Sequence, residues 1–372
     1  MVSHMVSTSI DENTMVLVVS DQHLGALQSK DEEFKAFLDE IINRRDNSSL
    51  KKLKALLILG DFFDLIMDTY KGISIEFKEI FNRLDTLIED GIHVITTLGN
   101  HEISIRKPYE KRFTWRKKKL IRKFRRKKLR NKFLKKENVC QYIVLRKNEN
   151  ERLEMVTYDS KKYINKIKIV KKEVLSKIPD EGPLSGAYKC ILTHGFQFEP
   201  EKYSFFALIW SALLKMPGFI KGIFNVLWNE IIKTPGKTAI EKIDKATIKQ
   251  RMKEKKIKFK KTQRISYFFL KRWIIKELVK EEEHRAAIED NEEFNRVIEK
   301  SYIDDFSDLG ITHVIYGHSH TKQDTINVKE TPVFNTGGWQ QVPEPTFIEI
   351  RSNGDIKVKA YTQKEKIPTV EA

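Results

Sequence analysis

The sequence predicts an α/β fold in which helices pack on a sheet of buried strands. Short apolar, β-branched runs alternate three times with segments of helical period. Apolar residues make up 40% of the 372 positions, enough to bury a sizeable core. Polar side chains able to hold a ligand stand directly after the apolar runs, at the carboxyl ends of the strands, where open α/β sheets bind their ligands.

Taken in order, MVLVVS (15–20) reads as a buried strand and EEFKAFLDEIINRR after it as a helix. ALLILG (55–60) is the second strand; ISIEFKEIFNRLDTLIED, ended by Gly91, is the second helix. HVITTLG (93–99) makes the third strand, and apolar strands of this kind are covered on both faces. YIVLR, LEMVTYD and INKIKIV are further strand-like runs, followed by YKCILTHG (188–195). The sheet resumes at ITHVIYG from Ile311, with short strands around DTINVK, TPVFN, TFIEI and DIKVKAY. No repeat of fixed period is visible.

Residues 1–14 read as a polar leader, and 15–195 as the first part of a core carrying a basic insertion at 106–136. Residues 196–305 read as a helical apolar and basic insertion or cap, and 306–372 as the second part of the core. The insertion contains YSFFALIWSALLKMPGFIKGIFNVLWNEII, which Lys215, Pro217 and Lys221 interrupt. It therefore falls short of the roughly 18–20 continuous apolar residues that span a bilayer. The leader has no basic segment followed by an apolar one, so no secretory signal is expected. The two cysteines, Cys140 and Cys190, form no CxxC pair, which argues against a disulfide framework or zinc ribbon and suits a cytoplasmic, reducing environment.

The formal charge of +17 is unevenly placed. Residues 106–136 by themselves carry a net charge equal to that whole excess, while KQRMKEKKIKFKKTQR (249–264) is partly offset by the acidic run after it. So dense a run of cations is expected to meet an anionic surface, either lipid headgroups or a nucleic-acid backbone. Phe113, Leu120, Ile121 and Phe124 share one helical face of the first basic run; Leu129 and Phe133 fall elsewhere.

Five apolar runs end in groups that carry chemistry. The first delivers Asp21 and His23, the second Asp61 and Asp64, and the third Asn100, His101 and Glu102. YKCILT delivers His194, and ITHVIYG delivers His318 and His320. Oxygen and nitrogen donors without sulfur suit a divalent ion such as Mn²⁺, Fe²⁺ or Zn²⁺. In extended chain, residues i and i+2 point the same way, so Asp21 with His23 and His318 with His320 are expected to aim as pairs. Asp21, His23, Asp61, Asn100, His194, His318 and His320 are too many donors for one tetrahedral ion but fit two ions. Asp61 is the natural bridge, having two carboxylate oxygens. Two ions about 3.5–4 Å apart clamp a phosphate and generate hydroxide near neutral pH.

At these residues the sequence resembles the calcineurin-like metallophosphoesterase superfamily, whose ordered motifs stand here as SDQH, GDFFD, GNHE, THG and GHSH. The resemblance covers residues 15–103, 188–195 and 311 to about 350, outside the two insertions. It implies a four-layer αββα sandwich with a helical cap. It also implies hydrolysis of a phosphate ester or pyrophosphate by metal-activated hydroxide, with Mn²⁺ as the first choice of ion and Fe²⁺, Zn²⁺ or Mg²⁺ as alternatives. On this resemblance Asp21, His23, Asp61 and His320 hold one ion, and Asp61, Asn100, His194 and His318 the other. His101 is then the general acid, oriented by Asp64, since a carboxylate beside an imidazole favours the protonated form. Ser319 replaces the commoner threonine, and Glu102 is expected only to fix the loop after His101.

Protein Ser/Thr phosphatases of the superfamily carry phosphate-gripping arginines where Leu65 and Leu98 stand here, so that activity is disfavoured. SDQHLG, GDFFDL and NTGGW (335–339) are most similar to the UDP-2,3-diacylglucosamine pyrophosphatase-like branch. The double-strand-break-repair exonuclease branch shares the first two patterns. Basic charge beside an apolar aromatic insertion favours lipid over nucleic acid. The expectation is a peripheral enzyme acting on an amphipathic, lipid- or nucleotide-linked substrate at an anionic membrane surface. A DNA exonuclease, or a scaffold that has lost catalysis, is the alternative; the oligomeric state is not legible.

Overall fold

The computed structural model describes residues 10–26, 29–46, 49–65, 70–101, 139–140, 142–147, 153–158, 189–198, 291–308, 310–340 and 344–362. The leader through residue 9, Glu102, the basic run 106–136, INKIKIV, and residues 199–290 of the insertion lie outside them.

The first strands are β1 (Thr14–Val19), β2 (Ala55–Leu59), β3 (His93–Thr97) and β4 (Val139–Cys140). Next come β5 (Tyr142–Lys147), β6 (Leu153–Tyr158) and β7 (Lys189–Leu192). The last are β8 (His313–Tyr316), β9 (Lys322–Val328), β10 (Thr331–Thr336), β11 (Thr346–Arg351) and β12 (Ile356–Ala360). The helices are α1 (Asp31–Asp46), α2 (Tyr70–Glu76), α3 (Lys78–Glu89) and α4 (Asn291–Asp308), with a 3₁₀ turn at Phe196–Phe198.

These strands form two six-stranded sheets, ordered β12-β11-β1-β2-β3-β4 and β6-β5-β7-β8-β10-β9. Strands β1 to β4 run parallel, with Leu57 set between Val18 and Ile95. In the second sheet β7, β8 and β10 are parallel neighbours.

The period of two along each strand divides its side chains between two cores. Val16 and Val18 join Ile143, Leu145, Cys190, Leu192 and Ile315 in a layer between the sheets. Leu17 and Val19 face the other way, onto Phe34, Phe37 and Ile41 of α1 and Leu84 of α3. In the second sheet Val144, Val314 and Tyr316 turn outward onto Phe294 and Ile298 of α4. The result is four layers, αββα. The strands are apolar on both faces because one face meets helices and the other meets the opposite sheet.

Local sequence explains the helices too. Acidic Asp31, Glu32 and Glu33 open α1 and Arg44 and Arg45 close it, matching the helix dipole at both ends. The single helix expected over 73–90 is divided at Phe77, whose ψ of 29° lies outside the helical well. Ile73 and Phe77 remain buried on the same core as Ile80 and Phe81. Helix α4 straddles the boundary placed at 305 and 306, and its Phe294 packs into the second sheet's core. Trp339, the last residue of NTGGW, is fully buried against Phe34 and Phe37, with its indole N–H donating to the Thr346 carbonyl at 3.0 Å. No helix among the described residues is long and apolar enough to cross a membrane.

Candidate dinuclear metal centre

Five loops meet where β1, β2, β3, β7 and β8 end. Main-chain bonds lock the first two together: His23 N–H donates to the Asp61 carbonyl at 2.8 Å, and Asp64 N–H to the Leu24 carbonyl at 2.9 Å. Gly317 N–H donates to the His194 carbonyl at 2.9 Å, which ties the fourth loop to the fifth.

Of the two expected i and i+2 pairs, Asp21 and His23 share one cluster, whereas His320 joins them and His318 joins Asp61 and His194. These loops are not extended. Asp21, His23, Asp61, His318 and His320 all have positive φ, between 46° and 72°. Each such non-glycine residue costs on the order of 1–3 kcal/mol and persists only where its surroundings over-determine it. Among the described residues Lys329 is the one other non-glycine with positive φ. Left-handed turns, not strand alternation, aim the side chains. Two glycines follow from the crowding this creates: a β-carbon on Gly99 would press on the Asp61 carboxylate, and one on Gly317 would sit 2.6 Å from Asp21 Oδ2.

Each central carboxylate is pinned by one oxygen and offers the other. Asp21 Oδ2 accepts the His318 backbone N–H at 2.9 Å, and Oδ1 faces His320 Nε2 at 3.3 Å and His23 Nε2 at 3.6 Å. Asp61 Oδ1 accepts the His101 backbone N–H at 2.9 Å. Asp61 Oδ2 lies 3.2 Å from His194 Nε2, 3.6 Å from His23 Nε2 and 3.9 Å from His101 Nε2. Asp61 therefore faces both clusters with a single oxygen rather than with one oxygen each.

The imidazoles are oriented as well. His194 Nδ1–H donates to the Leu59 carbonyl at 2.7 Å, which turns Nε2 toward Asn100 Oδ1 at 3.0 Å and His318 Nδ1 at 3.1 Å. Asp64 orients His101 as expected and does more. It holds two rings, with Oδ1 3.1 Å from His101 Nδ1 and Oδ2 3.3 Å from His23 Nδ1. The nine residues given a ligand or catalytic role in the sequence thus come together, while Glu102 lies outside the described residues.

Donor atoms within 4.8 Å of one another form three overlapping groups: Asp21, His23 and His320; His23, Asp61 and His101; Asp61, His194 and His318. Buried Asp21 Oδ1 and His23 Nε2 have no hydrogen bond, as expected of atoms placed to ligate an ion. With oxygen and nitrogen donors only, this set fits a pair of divalent cations.

Burial alone would push the His23 imidazolium down, but the Asp21 carboxylate 3.6 Å from its Nε2, the hydrogen bond to Asp64 and the charge of Asp61 hold it up at about 10. Burial opposes His194 in the same way, and the charges of Asp61 and Asp21 raise it to about 9. Burial and then the His194 charge keep His318 well below the usual histidine range. Asp61 and Asp64 are raised by burial and lowered more strongly by the imidazoles around them, so both stay ionised.

In ion-free protein the His23 and His194 pairings add stability that is complete below the ordinary histidine value of about 6.5 and is lost as pH rises through about 9 to 10. A cation must displace those protons, so Mn²⁺ affinity should rise with pH over the same range. Calorimetric titration near pH 7 in buffers of different ionisation heat should report release of about two protons per chain. Heats independent of the buffer would contradict this.

An αββα sandwich with such clusters at the ends of its parallel strands is the architecture of a metal-dependent phosphoesterase. The model of the calcineurin-like phosphoesterase family matches residues 14–322, and the chain belongs to that family. Among solved structures, a dimetal phosphatase from Danio rerio matches with 9% identity and a TM-score of 0.34, over 94% of this chain and 99% of that one. No curated protein matches the chain.

Sequence reasoning passed over Asn291, Ser20, Thr336 and the partners of Ser319, which lie directly behind the histidine loop. NTGGW, which directly follows TPVF, signals Asn335 and Thr336, and SDQH holds Ser20; Asn291 stands in neither.

Proposed function

We propose that this phosphoesterase hydrolyses a phosphodiester or pyrophosphate bond in an amphipathic, lipid- or nucleotide-linked substrate at an anionic membrane surface, with Mn²⁺ as its working ion. The observation that carries the hydrolytic reading is the convergence of Asp21, His23, Asp61, Asn100, His194, His318 and His320 within ligand distance. In this reading Asp21, His23, Asp61 and His320 hold one ion; Asp61, Asn100, His194 and His318 hold the other. The ions supply Lewis-acid charge against the phosphoryl oxygens and an activated water. The protein's part is orientation and proton delivery. His101 and His320, at 12% and 14% side-chain exposure, are open to solvent where the buried ligands are not. His101 protonates the leaving oxygen from there, while Asp64 holds its Nδ1 side.

Three features support the substrate class. Leu65 and Leu98, where arginines would grip a phosphomonoester dianion, are buried apolar residues. SDQHLG, GDFFDL and NTGGW are similar to the diacylglucosamine pyrophosphatase-like branch. Finally, the apolar insertion leaves the described core at Phe198, 5.9 Å from the Tyr316 ring, and returns at Asn291, which the Tyr316 hydroxyl reaches at 3.4 Å. Both ends thus stand beside the His318 loop, which suits a segment that handles the apolar part of a substrate.

Sedimentation with anionic vesicles tests the surface. The full chain is expected to pellet with them, and deletion of 203–232 to weaken this; equal binding by the deletion removes the insertion from the role. Turnover of a nucleotide-linked lipid is expected to exceed that of single-stranded DNA in the same assay. Preferred cleavage of DNA would move the chain to the exonuclease reading.

A further inference from the structure

Two asparagines bracket the two histidines of the fifth loop. Asn335 takes the Gly337 N–H on Oδ1 at 2.8 Å, and its Nδ2 lies 3.3 Å from the Gly317 carbonyl and 2.7 Å from Ser319 Oγ. It therefore grips the chain on both sides of His318. Asn291 accepts the Ser319 hydroxyl on Oδ1 at 2.6 Å and donates from Nδ2 to the Thr321 carbonyl at 3.0 Å. It grips the chain on both sides of His320. The two amides meet, with Asn335 Nδ2 3.2 Å from Asn291 Oδ1, and the Ser319 hydroxyl joins them.

We infer that Asn291 and Asn335, linked through Ser319, are positioning residues that set His318 and His320 for cation binding; this rests on the metal-centre reading above. His318 and His320 have φ of 72° and 59°, a conformation that an unsupported histidine leaves readily. The loop's own N–H groups hold its first half, Gly317 to the His194 carbonyl, His318 to Asp21 Oδ2 and Ser319 to the Gly317 carbonyl, each at 2.9 Å, and the asparagines extend that hold to His320. Side-chain amides suit the task because each offers a donor and an acceptor in one plane and spans two peptide units. Asn291 is the first residue of α4, while Asn335 belongs to β10. The loop is therefore fastened to two separate elements of the second sheet's layers. Partners behind metal ligands commonly contribute 10–100-fold in metal affinity.

The test is Mn²⁺ titration of the full chain by calorimetry. Asn291→Ala and Ser319→Ala should each weaken binding by about tenfold or more. Because the Ser319 hydroxyl and the Asn291 amide share a hydrogen bond, the double variant should lose less than the product of the two single losses. Asn291 is only partly buried, so its truncation leaves the core packed; metal-free melting temperatures close to wild type would separate positioning from unfolding. Wild-type affinity in both single variants, or losses that multiply in the double variant, would overturn the inference and leave the metal centre standing. A wild-type protein that takes up no Mn²⁺ overturns the metal-centre reading itself.

Discussion

Asp61→Asn is expected to abolish turnover of bis-p-nitrophenyl phosphate, by roughly 10³-fold or more, since even loss of a partner behind a ligand costs 10–100-fold. The change alters little in volume, so the reason is electrostatic. Oδ2 of Asp61 is the one carboxylate oxygen facing His23, His194 and His101 together. An amide there removes the negative charge shared by both clusters and leaves the raised His23 and His194 without much of their support. Circular dichroism should show a folded protein, because the αββα core is assembled from apolar side chains and Asp61 is not among them. Activity within tenfold of wild type would remove Asp61 from the centre of the site.

His101→Ala is expected to lower kcat by about 10²–10⁴-fold on a substrate with an alkoxide leaving group. With p-nitrophenolate, which departs without protonation, the loss should be far smaller. The contrast is diagnostic because the two parts of His101 do different things. Its backbone N–H anchors Asp61 Oδ1 at 2.9 Å and survives the substitution, whereas the ring held by Asp64 does not. Mn²⁺ content should therefore stay near wild type. Equal losses on both leaving groups, with metal lost, would make His101 a ligand, as its grouping with His23 and Asp61 allows.

Much of the scaffold was legible because its strands are short β-branched runs whose composition leaves little choice. Ala55–Leu59 is buried at every position, which marks a central strand. What covers the second face of such a strand is not written in the strand. That it is another sheet depends on β7, β8 and β10 pairing across long gaps, and only the motif resemblance implied it. The break at Phe77 was also hidden, since its apolar spacing continues the helical period on both sides.

The site divides in the same way. Asp21, His23, Asp61, Asn100, His194, His318 and His320 could be picked out because their residue types and their places after apolar runs both signal chemistry. The left-handed backbone that aims five of the residues at the site could not, because Asp and His adopt positive φ only in a small minority of positions, unlike glycine. Asp64 was assigned one imidazole and serves two, a fact of three-dimensional packing. Asn291 stands in the acidic run EDNEE with no motif around it. Only the fold brings it to Ser319, 28 residues further along.

The most direct measurement is the Mn²⁺ content of folded, full-length protein by equilibrium dialysis with elemental analysis, for wild type and Asp61→Asn side by side. Two ions per wild-type chain, falling to one or none in the variant, is the predicted result, because one oxygen of Asp61 serves both clusters. A wild-type chain that binds none, or a variant that keeps both, would contradict a dinuclear centre built on Asp61.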